Sequence, residues 1–445
     1  MAMRSRMYRV LATALTLWIS LGSSFSHAQP EKVRAQLKTR GQVMAELAET
    51  PAKAGGVYYT PDYLDTPGQS RPPKGYKPFY LSHYGRHGAR YYLKDSYWKG
   101  VQEFFHEAER ASILTPYGKQ LTARIDAFMP EVENLQTSLT GKGARQHEAI
   151  ARRIWKQYPE IWKKNPEVTA LASQHSRCLM SMMAFCSQLL RLDPKLDLRQ
   201  RATYADLAEV NWRSSKAPWH SGKPRPGMYV RKDPWGGDYA SFLAGLTDGD
   251  ALWKRLFTDP AAADRILPRH RALTDLYNFV SDLQCFDTRS DFSDLFAPEE
   301  YRALWEAHNY VFYVDEVQDT PADSMTFRNM MKETDRGVRE ALRTGRPAAR
   351  LRFGHDNVVL SSLTMMNADG MGIRPACASD IILSWRNYNV PMAATLEWVF
   401  YRSKKSPVIL FKVLLNGREL ALPLEPAEGC YYRWEDFVSA HKIDR

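Results

Sequence analysis

The sequence has 445 residues, 44% hydrophobic and 25% charged, which is enough for a large core and for two or three domains. Its 61 lysines and arginines exceed its 50 acidic residues and give a net charge of +11. A basic chain suits nucleic acid, anionic lipid or a polyphosphorylated small molecule as partner. The cations are dispersed, without an arginine-rich tail, so nucleic acid is the least favoured of the three.

The first 28 residues predict a secretory signal peptide. They combine a basic start with three arginines, an apolar run over 10–21 and a small-residue cleavage site, Ser26-His27-Ala28. The apolar run is too short to cross a membrane, and no later segment offers about eighteen uninterrupted apolar residues. We therefore expect an exported protein, periplasmic or secreted, without a membrane span.

A polar helical lead-in and a loop occupy 29–72, and the first predicted strand is the aromatic and apolar run Phe79–Ser82. The pentapeptide Arg86-His87-Gly88-Ala89-Arg90 follows within a few residues. Guanidinium groups bind phosphate oxygens bidentately and stay charged. An imidazole held between two of them can attack the phosphorus that they orient. Because open α/β sheets keep their ligand crevices at the carboxyl ends of strands, the pentapeptide predicts a phosphate-transfer site.

Two further motifs precede the middle of the chain. Residues 139–146, Leu-Thr-Gly-Lys-Gly-Ala-Arg-Gln, predict the start of a helix. Arg177 lies between a strand-like run and another helix start. From about 192 to 345 strand signals nearly vanish, which favours a helical region. Its predicted helices are 239–257, 267–286 and 298–311.

The fourth motif is His355-Asp356, which follows the strand-like run 349–354 and precedes the helix-like run 358–366. Beyond residue 384 the chain becomes β-like. Asn416-Gly417 joins the apolar run 408–415 to the run that follows it, and Asn-Gly between two such runs predicts a hairpin. We expect these strands at the edge of the sheet, protected from edge-to-edge aggregation by cations. Those cations are Lys404, Lys405 and Arg418.

The four motifs, in this order over nearly the whole exported chain, resemble the histidine phosphatase superfamily. The export signal, the helical insert and the late His-Asp pair resemble its second branch, which contains the histidine acid phosphatases, phytases and multiple inositol polyphosphate phosphatases. The resemblance implies an α/β fold with a mixed central sheet flanked by helices and an inserted, smaller α-helical cap domain. The implied core spans 29–191 and 346–445, and the implied cap spans 192–345.

The resemblance also implies roles for the motif residues. His87 would be the nucleophile that forms a phosphohistidine, and His355 would donate a further hydrogen bond. Asp356 would protonate the leaving oxygen and then activate water. The residues that would hold the three non-bridging oxygens are Arg86, Arg90 and Arg177. No metal or cofactor is implied, because the arginines supply the positive charge.

The substrate follows from the same branch, which spans phytases, glucose-1-phosphatases and general acid phosphatases. Lys94 stands where bacterial phytases commonly have a substrate-binding lysine, and Asn357 follows the His-Asp pair without the usual intervening threonine. A basic stretch that begins with Arg213 and Lys216 could bind distal phosphates or be an exposed loop. We expect phytate-type esters, with an acid phosphatase, a sugar-phosphate phosphatase or a silent binder of phosphorylated ligands as alternatives. The sequence gives neither the position attacked on an inositol ring nor the oligomeric state.

Several residues have structural interpretations. Asp356 could simply cap a helix, and we interpret His83 and His175 as structural. His147-Glu148 has no histidine three residues later, which excludes a zincin site.

Export permits disulfides among the five cysteines, Cys178, Cys186, Cys285, Cys377 and Cys430. An odd count leaves at least one of them unpaired. We favour a pair between Cys377 and Cys430, which both follow the His-Asp motif, and expect Cys178 to pack as a small buried hydrophobe.

Overall fold

The computed structural model describes residues 37–62, 68–163, 166–219, 229, 231–316 and 321–443. The predicted signal peptide lies outside these residues. No helix among them is long and apolar enough to cross a membrane.

One mixed sheet of eight strands organises the fold, with strand order β3-β2-β4-β1-β5-β6-β7 and with β8 beside β6. The strands β3, β2, β4 and β1 run parallel, and β5, β6 and β7 continue the sheet antiparallel. The strands are β1 Tyr76–Arg86, β2 Glu167–Ala172, β3 Asp197–Arg201, β4 Ala349–Gly354, β5 Thr395–Ser403, β6 Ser406–Leu415, β7 Arg418–Glu419 and β8 Tyr432–Arg433. The predicted α/β class with a mixed sheet is confirmed.

Strand β1 is longer than the sequence predicted and ends inside the phosphate motif, at Arg86. It lies between β4 and β5, and its register pairs Arg86 with Gly354 at the end of β4. The carboxyl ends of β1 and β4 therefore meet, which brings His87 and His355 to the same edge of the sheet.

Fifteen α-helices among the described residues surround the sheet. They are α1 Arg40–Glu49, α2 Asp95–Arg110, α3 Pro116–Phe128, α4 Gly141–Gln157, α5 Ser176–Leu192, α6 Leu207–Val210, α7 Tyr239–Leu246, α8 Asp250–Leu256, α9 Pro260–Ile266, α10 Arg269–Asp282, α11 Pro298–Glu316, α12 Pro321–Thr344, α13 Asp356–Met365, α14 Ile381–Ser384 and α15 Trp434–His441. Gly249, with φ 67°, separates α7 and α8, which the sequence predicted as one helix.

The helical region is built from two separate segments of the chain rather than one. Helices α2 and α3, which precede the predicted cap, pack with the helices of 239–316 in one hydrophobic cluster. Phe104 of α2, for example, stacks on Trp253 of α8, with ring centroids 6.3 Å apart. Strand β3, inside the predicted cap, pairs with β2 and extends the sheet beyond residue 191. The domain boundaries therefore stay a prediction. The observed helical cluster includes residues before 192, and the sheet includes residues after 191.

The carboxyl-terminal hairpin forms at Asn416-Gly417. Both residues have positive φ, 53° and 82°, as a two-residue turn between twisted strands requires. Strand β7 pairs with β6 over two positions only, so the ladder is shorter than the predicted run.

The favoured disulfide is wrong, because Cys377 and Cys430 are both free thiols. Their sulfurs contact different partners, Ser379 Oγ at 3.1 Å and Ser70 Oγ at 3.0 Å respectively. The other three cysteines are free and buried. Cys178 packs as a buried group as predicted, and burial raises the pKa of its thiol to about 12.

Candidate active site

Three neighbouring parallel strands, β2, β4 and β1, deliver the motif residues to one edge of the sheet. His87 follows β1, His355 follows β4, and Arg177 opens helix α5 just after β2. The rings of His87 and His355 lie 5.8 Å apart, edge to face. The strand order thus assembles a site from segments that are far apart in the sequence.

The imidazole of His87 is held in one tautomer. Its Nδ1 lies 2.9 Å from the carbonyl oxygen of Gly88, to which it can only donate a hydrogen bond. Burial, together with the charges of Arg177, Arg86 and Arg90, lowers the pKa of His87 well below its usual range. The ring is therefore neutral, with the proton on Nδ1 and a free electron pair on Nε2.

The backbone of the loop is fixed by contacts from several elements. The amide of His87 donates to the carbonyl of Gly354 at 2.9 Å, and its carbonyl accepts from Ala393 at 3.0 Å. The amide of Gly88 donates to Ser181 Oγ at 3.0 Å. This network gives His87, the predicted nucleophile, a defined backbone position.

Residues 139–146 act on the same loop. Thr140 Oγ1 donates to the carbonyl of Ala89 at 3.0 Å, and Gln146 Oε1 accepts from the amide of Ala89 at 3.0 Å. A Cβ on Gly88 would lie 2.5 Å from the carbonyl oxygen of Gly143, and a Cβ on Gly143 would lie 2.2 Å from that of Ala89. Both glycines are needed because the start of α4 packs directly on the loop that follows β1.

Arg86 is fully buried and anchored by backbone carbonyls. Its Nη1 donates to Val57 at 2.6 Å and to Val390 at 2.9 Å. Its Nη2 forms an ion pair with Asp356 Oδ2 at 2.9 Å. The guanidinium group is thereby fixed, with Nη2 directed at the carboxyl group of Asp356, the predicted proton donor.

Arg90 is held by a carboxylate at the end of α10 and by two tyrosine rings. Its Nη1 lies 3.2 Å from Asp282 Oδ1, and its guanidinium carbon lies 5.6 Å from the ring centres of both Tyr58 and Tyr92. Burial lowers the pKa of Arg90, but the Asp282 carboxylate, together with Tyr58, Cys285 and Tyr92, outweighs it and the pKa is raised. Arg177 is 8% exposed, and burial together with the charges of Arg90 and Arg86 lowers its pKa.

His355 and Asp356 stand at the start of α13. The N-cap residue is His355, not Asp356, and its Nε2 lies 3.1 Å from Ser173 Oγ. Ser173 also contacts Nδ1 of His175, whose ring lies 4.8 Å from that of His355. Asp356 Oδ1 accepts from the amide of Asn357 at 2.9 Å, so part of its carboxylate serves the helix end.

A cavity of about 980 Å³ opens onto this site. Its charged and imidazole lining consists of Arg90, His175, Arg177, Arg213, Lys232, Asp238, His270, Arg271, Asp275, His308, Glu316, His355 and Asp356. Asn357 also lines it. Arg86 and His87, 0% and 3% exposed, lie behind this lining and contact Asp356 and His355.

The predicted substrate-binding lysines are not among the lining residues. Lys94 is exposed at the N-cap of α2, although its neighbour Leu93 lines the cavity. Lys216 is exposed, close enough to His175 to help burial lower the pKa of that imidazole to about 4. Arg213 lines the cavity but pairs with Glu316 at 2.5 Å and Asp315 at 3.5 Å, so its charge is largely compensated.

Sequence reasoning missed several site residues on the helical side. Helix α10 presents a face with a four-residue repeat, which runs from His270 through Thr274 and Asn278 to Asp282. Polar residues that recur every four positions along one face of a helix are a recognisable signal. His308 of α11 lines the cavity as well, and His175, interpreted as structural, lies within it. His83 is buried between Phe185 and Phe353, as expected of a structural residue.

No metal site competes with this interpretation within the described part of the chain. There, no group of three or more His, Cys, Asp or Glu side chains could hold a metal ion. The positive charge of the site comes from its arginines.

The fold is similar to that of known phosphatases. The apo multiple inositol polyphosphate phosphatase of Bifidobacterium longum matches with a TM-score of 0.65 and 16% identity, over 88% of this chain and 97% of that chain. The phytase of D. castellii matches with a TM-score of 0.59 and 13% identity, over 94% and 89% of the two chains. Hafnia alvei phytase, in complex with myo-inositol hexakis sulphate, matches with a TM-score of 0.54 and 13% identity, over 83% and 98%.

No family model and no curated protein matches the sequence. The solved structures belong to the histidine acid phosphatase branch of the histidine phosphatase superfamily. The chain has the fold of that branch, which confirms the resemblance drawn from the four motifs.

The buried imidazoles make the stability of the protein dependent on pH. Burial lowers the pKa of seven histidines, to about 3 for His147 and His308, to about 4 for His175 and His441, and well below the usual range for His83, His87 and His355. In the unfolded chain these groups bind protons below about pH 6.5, whereas in the folded protein they do not. Stability is therefore lost as the pH falls below about 6.5.

Burial raises the pKa of Asp282 to about 7 and also raises the pKa of Asp275, which has the opposite effect, but seven groups outweigh two. We expect a lower Tm at about pH 4.5 than at about pH 7, by several degrees or more. Scanning calorimetry in buffers without phosphate or sulfate measures this difference. An equal or higher Tm at the lower pH would contradict the neutral imidazoles.

Proposed function

We propose that the protein is an exported phosphomonoesterase that hydrolyses inositol polyphosphates of the phytate type through a phosphohistidine intermediate. One observation carries the proposal: the free electron pair of a neutral, buried His87 lies among three guanidinium groups at the carboxyl ends of adjacent strands. The fold shared with phytases supports the reaction class. The signal motif in residues 1–28 supports export.

The first step transfers the phosphoryl group to His87. Nε2 attacks phosphorus while the ester P–O bond breaks, and its electron pair goes to the leaving oxygen, which takes the proton of Asp356. The residues that bind the phosphoryl oxygens are Arg86, Arg90 and Arg177. Their charges are fixed before the reaction, so they stabilise the developing negative charge without reorganisation.

The substrate must compete with Asp356 for Arg86. In the ligand-free protein the carboxylate occupies the position beside Arg86 where a phosphate oxygen would bind. A bound dianion repels that carboxylate and favours its protonated form, which is the form that can donate a proton. Substrate binding would in this way prepare the donor.

The second step regenerates the enzyme. Asp356, now a carboxylate, takes a proton from water while the water oxygen attacks phosphorus. The N–P bond breaks, its electron pair returns to Nε2 of His87, and inorganic phosphate is released. Both steps use the same residues in opposite proton-transfer directions.

The size and charge of the cavity favour a polyphosphorylated substrate. About 980 Å³ is far more than a phosphate group requires and is at the upper end of small-molecule sites. Lys232, His270 and Arg271 line it in addition to the phosphate pocket. Arg271 pairs with Asp275 at 3.1 Å, so Lys232 and His270 are the candidates to bind a further phosphate, which an inositol polyphosphate carries and a simple ester does not.

Two alternatives remain. A broad acid phosphatase or a sugar-phosphate phosphatase would use the same phosphate pocket and leave the outer cavity unused. A silent binder of phosphorylated ligands would have no use for Asp356 beside the nucleophile.

A hydrolysis panel separates these functions. We expect kcat/KM for phytate to exceed that for glucose 1-phosphate and p-nitrophenyl phosphate by about tenfold or more, because each additional phosphate gains charge-assisted hydrogen bonds. We expect the same rates in strong chelator, since the arginines replace a metal. Equal or inverted rates would favour the broad or sugar-phosphate alternative. Loss of activity in chelator, restored by a divalent ion, would refute the metal-free mechanism.

A further inference from the structure

Asp282, the last residue of α10, contacts the phosphate pocket from the helical side. Its side chain is 0% exposed, and its Oδ1 accepts from Arg90 Nη1 at 3.2 Å. Its Oδ2 is buried and has no hydrogen-bond partner within the described structure. A buried carboxylate with one of its oxygens unsatisfied is costly, so its charge calls for an explanation.

Five charged or titratable groups face Asp282. They are Arg90, Arg86, Cys285, Tyr58 and Tyr92. Burial raises the pKa of Asp282 to about 7, against the lowering effect of Arg90. Burial also raises the pKa of Cys285 to about 12 and the pKa of both tyrosines. Near neutral pH, only Asp282 in this group changes charge.

The charges of the pocket then determine how it holds an anion. Three arginines face two carboxyl groups, Asp356 on Arg86 and Asp282 on Arg90, so the net charge is +1 when both acids are ionised. A dianion changes this to −1, and one proton restores neutrality. Without Asp282 the same dianion would meet one more positive charge and be held more tightly.

We propose that Asp282 is a positioning residue that orients Arg90 and limits the positive charge of the phosphate pocket, so that the dianionic product is released. This inference rests on the proposed function and deepens it. It places the control of product release on helix α10, which also lines the outer cavity.

Sulfate binding tests the inference without turnover. Sulfate keeps both negative charges throughout the range in which Asp282 titrates, so its affinity reports only on the protein. In the wild type we expect calorimetric affinity for sulfate to fall by about tenfold between about pH 5.5 and pH 8, as Asp282 becomes ionised. The variant Asp282→Asn keeps the size of the side chain and an oxygen for Arg90. It should match the wild type at the lower pH and bind about tenfold more tightly at the higher pH.

A matched control removes a buried acid elsewhere. Glu397 is buried and paired with Arg153, outside the cavity lining, so Glu397→Gln should lower the Tm and leave sulfate binding and its pH dependence unchanged. Asp282→Glu keeps the charge and should restore the pH dependence.

The outcomes separate the two proposals. If sulfate binds but the wild type shows no fall in affinity with pH, or if Asp282→Asn binds more weakly at the higher pH, the charge-limiting role is wrong while the phosphate pocket stands. If sulfate does not bind the wild type, the pocket itself is refuted, and the proposed function with it. Asp282→Asn could fail to fold because Arg90 loses its partner. The pH dependence of sulfate binding by the wild type then still tests the charge-limiting role of Asp282.

Discussion

Replacing His87 by alanine is expected to lower turnover by at least about 10⁴-fold, because the reaction loses the atom that accepts the phosphoryl group. The fold should survive the change. Among the described residues, the His87 side chain bonds only to the adjacent carbonyl of Gly88, and the loop is held by backbone contacts to Gly354, Ala393 and Ser181. Turnover of p-nitrophenyl phosphate measures the loss of activity. Acid-quench trapping of radiolabelled phosphoenzyme measures the loss of the covalent intermediate.

His83 supplies the matched control. It is a buried imidazole on strand β1, four residues before His87, packed against Phe185 and Phe353. Because its ring nitrogens have no hydrogen-bond partner within the described structure, His83→Leu should retain turnover within about threefold, with a changed Tm. Substantial turnover by His87→Ala, or a phosphoenzyme still trapped from it, would overturn the assignment of the nucleophile.

Replacing Asp356 by asparagine should slow esters with basic leaving groups far more than p-nitrophenyl phosphate. An inositol alkoxide needs a proton as it departs, whereas p-nitrophenolate leaves as an anion. We expect kcat/KM to fall by about 10²–10³-fold for phytate and by less than about tenfold for p-nitrophenyl phosphate. The ratio of kcat/KM isolates the phosphorylation step, because it excludes the later hydrolysis of the intermediate.

The structure also limits a purely structural role for Asp356. Its Oδ1 accepts from the amide of Asn357, and an asparagine can keep that bond. The N-cap position of α13 is occupied by His355. An asparagine also keeps an oxygen for Arg86, so the substitution should lower Tm only moderately while changing the substrate ratio strongly. An unchanged ratio with a lowered Tm would assign Asp356 to the stability of the helix end.

The sequence by itself determined which motifs meet at the candidate site. The strand at 349–354, the Asn-Gly hairpin and the four motifs could be read locally, since each depends on residue types within a short window. His87, Arg177 and His355 were placed after strands, and parallel strands end at one edge of a sheet. Local pattern and one topological rule were enough to bring them together.

Tertiary structure alone decided what holds these residues. Asp282 contacts Arg90 across 192 residues, and the start of α4 packs on Gly88 through an approach that only two glycines permit. Lys94 is exposed and is not among the lining residues, the charge of Arg213 is compensated by α11, and Cys377 and Cys430 do not pair. Each outcome depends on strand order, helix packing and the direction of a side chain. No local window of sequence contains these, because they follow from contacts between segments that fold together from distant parts of the chain.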